Sequence, residues 1–188
     1  WLYFSEPTPK EPNNTDGYSG LCGVAELSHQ EGFYNNPFEL SITTDSGNQQ
    51  IYYSVDGSVP TENSNQYQNP ISITETTVVR ASVIQTDCQP GEITTKTFLI
   101  NEQFDLPIIS ITTDPYNLWD NEYGIYVAGN NASNEFPYFG ANFWEDWERP
   151  VHVEFFEPSG ELGFSLNAGV KIFGNYSRGY PQKSLAIY

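Results

Sequence analysis

Three of the seven basic residues, Lys171, Arg178 and Lys183, fall within 13 consecutive positions. They belong to the segment 169–184, Gly-Val-Lys-Ile-Phe-Gly-Asn-Tyr-Ser-Arg-Gly-Tyr-Pro-Gln-Lys-Ser. An alternating apolar stretch leads into a loop rich in Gly, Asn and Ser, and a second apolar stretch follows. A strand, a glycine-containing loop and a second strand can cover a phosphate chain. Loop N–H groups would donate to the phosphate oxygens and the cations would offset their charge. The candidate nucleotide contacts are therefore Lys171, Gly174, Ser177, Arg178 and Lys183. A plainer reading competes: Lys183 pairs with one of the 24 carboxylates.

Other groups with chemical potential have structural readings beside the functional one. Asp114 precedes Pro115, as expected for a helix N-cap followed by proline at the first helical position. Asp114 and Asp120 fit turn caps better than metal ligands. Glu145, Asp146 and Glu148 offer hard oxygen ligands to Ca²⁺, or form a solvated acidic loop. His29 and His152 lie far apart, and His152 alternates with apolar residues as in a strand. Cys22 and Cys88 are the two cysteines. They make no C-x-x-C pair, so two readings stay open, a pair of buried thiols or one disulfide. No Gly-x-Ser-x-Gly, His-Glu-x-x-His or phosphate-loop motif occurs.

Composition narrows the classes. Seven basic residues against 24 acidic ones leave a formal charge of -17, which argues strongly against a Lys/Arg-rich nucleic-acid face and disfavours anionic lipid. Aromatics reach 15%, unlike acidic disordered chains, so a core is expected. No apolar run is long enough to span a membrane. Polarity rests on Asn, Gln, Ser, Thr and Tyr, which favour turns and strands over helices. That bias points to an exported protein, as would a disulfide. Asn13, Asn131 and Asn175 begin Asn-x-Ser/Thr triplets, which matter only in a secretory host. Met is absent and position 1 is Trp. The expectation is a processed product or an excised fragment.

These groups need a β scaffold. Residues 1–21 hold three prolines and read as an extended connector from a preceding domain. Residues 22–100 alternate short apolar stretches with turn residues, which predicts a small β-sandwich. Its five strands centre on Phe38, Leu40 and Ile42; residues 49–55; Ile71 and Ile73; Val79, Ala81 and Val83; and residues 94–100. Asp56-Gly57 predicts a tight turn with positive φ. Residues 101–106 form a linker. Beyond it come a buried strand at 107–112, one helical turn, a short strand at 124–127 and an aromatic loop at 129–147 anchored by Trp144 and Trp147. Strands at 151–156, 162–173 and 183–188 complete an antiparallel sheet. The fold class is mostly β, a small immunoglobulin-like β-sandwich followed by an incomplete antiparallel β-sheet lobe.

Two stretches resemble known families. Gly32-Phe33-Tyr34, Pro37-Phe38, Ile51-Tyr52-Tyr53-Ser54-Val55-Asp56-Gly57-Ser58, Pro60-Thr61, Pro70-Ile71 and Thr76-Thr77-Val78-Val79-Arg80-Ala81 resemble the immunoglobulin-like module of the chitobiase/β-hexosaminidase C-terminal family. This implies an accessory domain. Tyr52, Tyr53 and Asp56 would be its sugar contacts if it binds carbohydrate. Residues 107–188 resemble the N-terminal part of the CotH kinase family of secreted and spore-coat atypical kinases. The resemblance rests on Pro107-Ile108-Ile109-Ser110-Ile111, Thr113-Asp114-Pro115, Asn117-Leu118-Trp119-Asp120, Gly124-Ile125-Tyr126-Val127, Trp147-Glu148-Arg149-Pro150-Val151 and Val153-Glu154-Phe155-Phe156. Its most specific part is Gly174-Asn175-x-Ser177-Arg178-x-x-Pro181-Gln182-Lys183-Ser184.

The CotH resemblance implies phosphoryl transfer from ATP to protein with Mg²⁺ or Mn²⁺. Lys183 would be the phosphate-clamping lysine, and the family's catalytic carboxylates would lie beyond Tyr188. No catalytic residue is therefore expected in this chain. The function expected is that of an exported bacterial surface or matrix protein fragment with a structural or binding role. The alternatives are the N-lobe of a secreted CotH-type kinase and a carbohydrate-binding module. Expected partners are other surface or matrix proteins, or further copies of the chain pairing through open sheet edges, with no nucleic acid.

Overall fold

A computed structural model describes residues 2–4, 8–15, 17–45 and 49–188. The chain divides into two compact units, Trp1–Val55 with Val59–Glu102, and Asp56–Ser58 with Gln103–Tyr188. The fold is mostly β.

The first unit carries β1 (Gly20–Leu21), β2 (Ala25–Leu27), β3 (Gly32–Tyr34), β4 (Phe38–Leu40), β5 (Ile42–Thr44), β6 (Ile51–Ser54), β7 (Asn65–Gln66), β8 (Ile71–Ile73), β9 (Thr77–Val83), β10 (Cys88–Gln89) and β11 (Thr94–Ile100). One sheet has the order β3-β11-β9-β6-β7, and β2-β5 and β4-β8 form antiparallel ribbons. Alternating residues supply a shared core of Leu27, Leu40, Ile42, Ile51, Ile73, Val79, Ala81, Val83, Phe98 and Ile100. This is the immunoglobulin-like sandwich expected. One strand differs from expectation. Phe38, Leu40 and Ile42 do not share a partner, because the chain changes ribbons at Ser41. There Ser41 N–H donates to Ser28 Oγ and Ser28 N–H to the Ser41 carbonyl. Switching partners at a corner lets one stretch serve two ribbons. Gly57 has φ of 84°, as the Asp-Gly pair predicted. Asp56 Oδ1 accepts from both the N–H and the hydroxyl of Ser58. The Ser58 hydroxyl bond, with the N–H bond behind it, lowers the Asp56 pKa.

In the second unit, β12 (Ile108–Thr112), β13 (Arg149–Phe156), β14 (Leu162–Phe173) and β15 (Ser184–Ile187) form an antiparallel sheet in that order. Val151, Val153, Val170 and Ile172 point to one face and meet Ile125, Ala141 and Phe143. The helix α1 (Pro115–Trp119) starts as expected, with Asp114 accepting from Tyr116 N–H and Pro115 in its first turn.

Two expectations are corrected here. Residues 124–127 are not a strand. Ile125 and Tyr126 N–H donate to the Asn117 and Leu118 carbonyls, which closes the end of α1 and drops Ile125 into the core. The strand near 107–112 is not buried. It is the sheet edge, and Ile109 and Ile111 are exposed because no further strand or layer of this unit covers them.

Candidate functional site

The segment singled out by its cations is the β14–β15 hairpin. The strands pair from Val170↔Ile187 to Phe173↔Ser184, and the connection contains a 3-10 turn at Tyr176–Gly179. Gly174 takes φ of 121°, and a Cβ there would come within 2.3 Å of Ser177 Oγ. Only glycine suits that reversal. The fold places the three cations differently. Because side chains alternate across a strand, Lys171 projects away from the face of Val170 and Ile172. Its ammonium lies 3.2 Å from Asp146 and 3.8 Å from Glu148. The hydrogen bond to Asp146 raises its pKa.

Arg178 turns back onto the chain. Its Nε donates to the Gly174 carbonyl at 2.8 Å, and Nη1 faces the Phe143 and Trp144 carbonyls, each at 3.3 Å. A planar guanidinium can span several acceptors at once. Here it ties the hairpin loop to the 3-10 turn Asn142–Trp144. Lys183 ends the loop. Its N–H donates to the Tyr126 hydroxyl and its Nζ to the Tyr180 carbonyl at 2.8 Å. The ammonium sits 4.2 Å from the Phe143 ring centre and 5.1 Å from that of Tyr126. Partial burial pulls its pKa below the usual lysine range. No ion pair of Lys183 occurs among the described residues. The plainer reading, in which a carboxylate neutralises Lys183, is therefore not what the structure holds.

Lys183 and Arg178 thus meet around Phe143, whereas Lys171 shares no partner with either. Ser177 is exposed in the turn between them, and its carbonyl accepts from Tyr180 N–H.

The remaining candidates divide as follows. Asp146 and Glu148 both face Lys171, and no cluster of three metal-capable side chains occurs among the described residues. Asp120 Oδ1 accepts from the N–H groups of Glu122 and Tyr123, a capping role. His152 lies 2.8 Å from Asn167 Oδ1 and 3.0 Å from Ser165 Oγ on neighbouring β14. His29 stacks on Phe38 at 4.1 Å. Cys22 and Cys88 are joined in a disulfide, which decides between the two readings of the pair.

In the sandwich, Tyr52 donates to Gln50, Tyr53 packs on the core and Asp56 forms its turn. A groove of about 380 Å³ lies elsewhere, lined by Val59, Pro60, Ile84, Pro90 and Ile93 with Thr61, Glu62 and Ser82. Its walls are mostly aliphatic and offer no aromatic ring for a sugar to stack on.

The aromatic loop expected at 129–147 meets this hairpin through its rings, a pairing the sequence reading did not foresee. Phe136 faces Tyr138 and Tyr180, and Phe139 faces Trp144 and Tyr176, with centroids 4.9 to 6.1 Å apart. The available signal was the aromatic and Asn-rich composition of both loops.

Residues 29–95 match the chitobiase/beta-hexosaminidase C-terminal domain family. That span lies within the sandwich and its turns and does not reach the hairpin. No curated protein and no solved structure matches the chain.

Proposed function

We propose that this chain is part of an exported bacterial surface or matrix protein, and that its second unit binds the phosphate of a nucleotide without turning it over. One observation carries the reading. In a chain of charge -17, the Lys183 ammonium is partly desolvated and has one carbonyl and two rings for company, not a carboxylate. An ammonium so placed gains from a phosphate oxygen, because a charge-assisted bond offsets its lost hydration. The CotH-like block at 174–184 supports the same assignment. Arg178 then acts by holding the loop, since its donors face carbonyls, and Lys183 is the contact.

The disulfide, the acidic surface and the accessory-module match support export. The open edges of β12 and β15 support pairing with other surface proteins or further copies. Turnover would need Mg²⁺ or Mn²⁺ held by carboxylates, and no cluster of three metal-capable side chains occurs among the described residues.

The test is calorimetric titration of ATP into the chain and into Lys183→Ala and Lys183→Arg. Binding is expected in the parent, lost in Lys183→Ala and partly kept in Lys183→Arg. Equal affinity in the parent and Lys183→Ala, or no binding in either, overturns the phosphate reading. Transfer of labelled phosphate to a protein acceptor, dependent on divalent metal and on Lys183, overturns the restriction to binding.

A further inference from the structure

We infer that the two loops beside β15 form a recognition surface for a neutral, gluco-configured oligosaccharide, separate from Lys183. Five rings emerge from them: Phe136, Tyr138, Phe139, Tyr176 and Tyr180, between 37% and 57% exposed. They pair across the loops, Phe136 with Tyr180 and Phe139 with Tyr176. Such exposure costs hydration free energy unless something covers it.

The surface is held in place before any ligand arrives. Trp144 Nε1 donates to the Pro137 carbonyl, and Ser133 N–H to that of Phe139. Arg178 ties one loop to the other through the Phe143 and Trp144 carbonyls. Gly179 packs so closely that a Cβ there would meet Phe136 at 2.9 Å and the Pro137 carbonyl at 3.1 Å. Tyr138 takes φ of 63°, a left-handed conformation unusual for a tyrosine. Strain of this kind persists where surrounding contacts enforce it, and it concentrates at ligand sites. Rigid rings lose little entropy on binding.

Chemistry selects the occupant. The loops at 129–140 and 174–182 contain no Val, Ile, Leu or Met. The same loops expose Asn131, Ser133, Asn134, Asn175 and Gln182, with Glu135 as their one exposed carboxylate. The uncovered part of the core face of the sheet in the same unit differs, with Ile109, Ile111, Leu166, Leu185 and Ile187. Aliphatic surface suits another protein layer. Rings flanked by amides, hydroxyls and a single carboxylate suit a pyranose. Its axial C–H bonds lie against a ring face, and its equatorial hydroxyls reach neutral donors and acceptors at the edge. The exposed Glu135 carboxylate beside Phe136 disfavours uronate and sulfate groups at these rings, so the sugar is neutral. All-equatorial, gluco-configured units present the flattest C–H faces.

The experiment titrates the whole chain with cellohexaose and chitohexaose, and with an oligogalacturonate as the anionic comparison, following ring protons by NMR. At least one neutral hexaose is expected to bind. Phe139→Ala and Tyr180→Ala are each expected to weaken it about tenfold, the equivalent of ~1.4 kcal/mol. Tyr180→Phe and Tyr176→Phe keep the ring and should stay within about twofold of the parent, and these two variants control for folding. The hexaose titration is read without ATP and the ATP titration without sugar, so hexaose binding with no ATP binding, or the reverse, lets the two assignments fail separately. Three outcomes overturn the inference: neither neutral hexaose binds at about 5 mM; Phe139→Ala/Tyr176→Ala, folded by its melting curve, binds as the parent does; or the oligogalacturonate binds as well as the neutral sugars.

Discussion

The disulfide gives the sharpest test of how the first unit is held together. Cys22 and Cys88 are 66 positions apart and both lie in the sandwich core. They clamp the parallel pair of β1 and β10, where Gly20 faces Cys88 and Leu21 faces Gln89. Two residues per strand cannot sustain a parallel pair alone. Around the clamp, Gly23 N–H donates to Gln49 Oε1 at 2.8 Å, and a Cβ on Gly91 would come within 2.8 Å of the Gly23 carbonyl. In the chain-entropy description, closing a loop of that size removes enough freedom from the unfolded chain to stabilise the fold by about 4 kcal/mol. That is a large part of the roughly 5–15 kcal/mol total of a typical domain. For a unit of this length the melting midpoint should fall by about 15–30 °C on reduction.

The assay is urea unfolding with and without a thiol reductant, read by hydrogen exchange mapped onto peptides. Protection around residues 20–23 and 88–91 should disappear first. Cys22→Ala/Cys88→Ala should match the reduced protein and ignore the reductant. A difference below about 1 kcal/mol between oxidised and reduced protein would refute the reasoning, as would two titratable thiols in the native oxidised chain.

Two other outcomes follow from the second unit. Arg178→Ala removes donors from the Gly174, Phe143 and Trp144 carbonyls. It should cost about 2–3 kcal/mol in urea unfolding and shift Trp144 fluorescence, and Arg178→Lys should recover less than half, because an ammonium cannot span the same acceptors. The two hairpin lysines should titrate on opposite sides of the ordinary value of 10.5, Lys183 below it through burial and Lys171 above it through Asp146. For Lys183 the unfolded chain holds more protons between the folded pKa and 10.5, so stability rises with pH across that window. For Lys171 the contribution is complete below 10.5 and is lost as pH climbs through its raised pKa. Side-chain NMR resolves both, and the reverse order would be decisive against these placements.

Much of the scaffold was legible from residue order. Val79, Ala81 and Val83, or Val170 and Ile172, alternate so regularly that a strand with one buried face follows. Asp56-Gly57 and Asp114-Pro115 announce their turn and cap through local chemistry alone. The same logic failed where a stretch was too short or its neighbour lay far away. Ile125 looks like a strand residue, yet it is held by carbonyls of α1. Ile109 and Ile111 look like core, yet their strand is an edge.

The candidate site divides along the same line. Local composition determined that cations and glycines would gather on one hairpin, because adjacency in the chain guarantees adjacency across a short loop, whereas the rings of the earlier aromatic loop reach it only through packing. Only the tertiary structure decided their partners. It turned Arg178 toward carbonyls from residues 143 and 144, gave Lys171 the two carboxylates at 146 and 148, and left Lys183 against Phe143 and Tyr126. Hydrogen bonds and ion pairs reach only a few ångströms, so the partners depend on which distant segments packing brings within that reach.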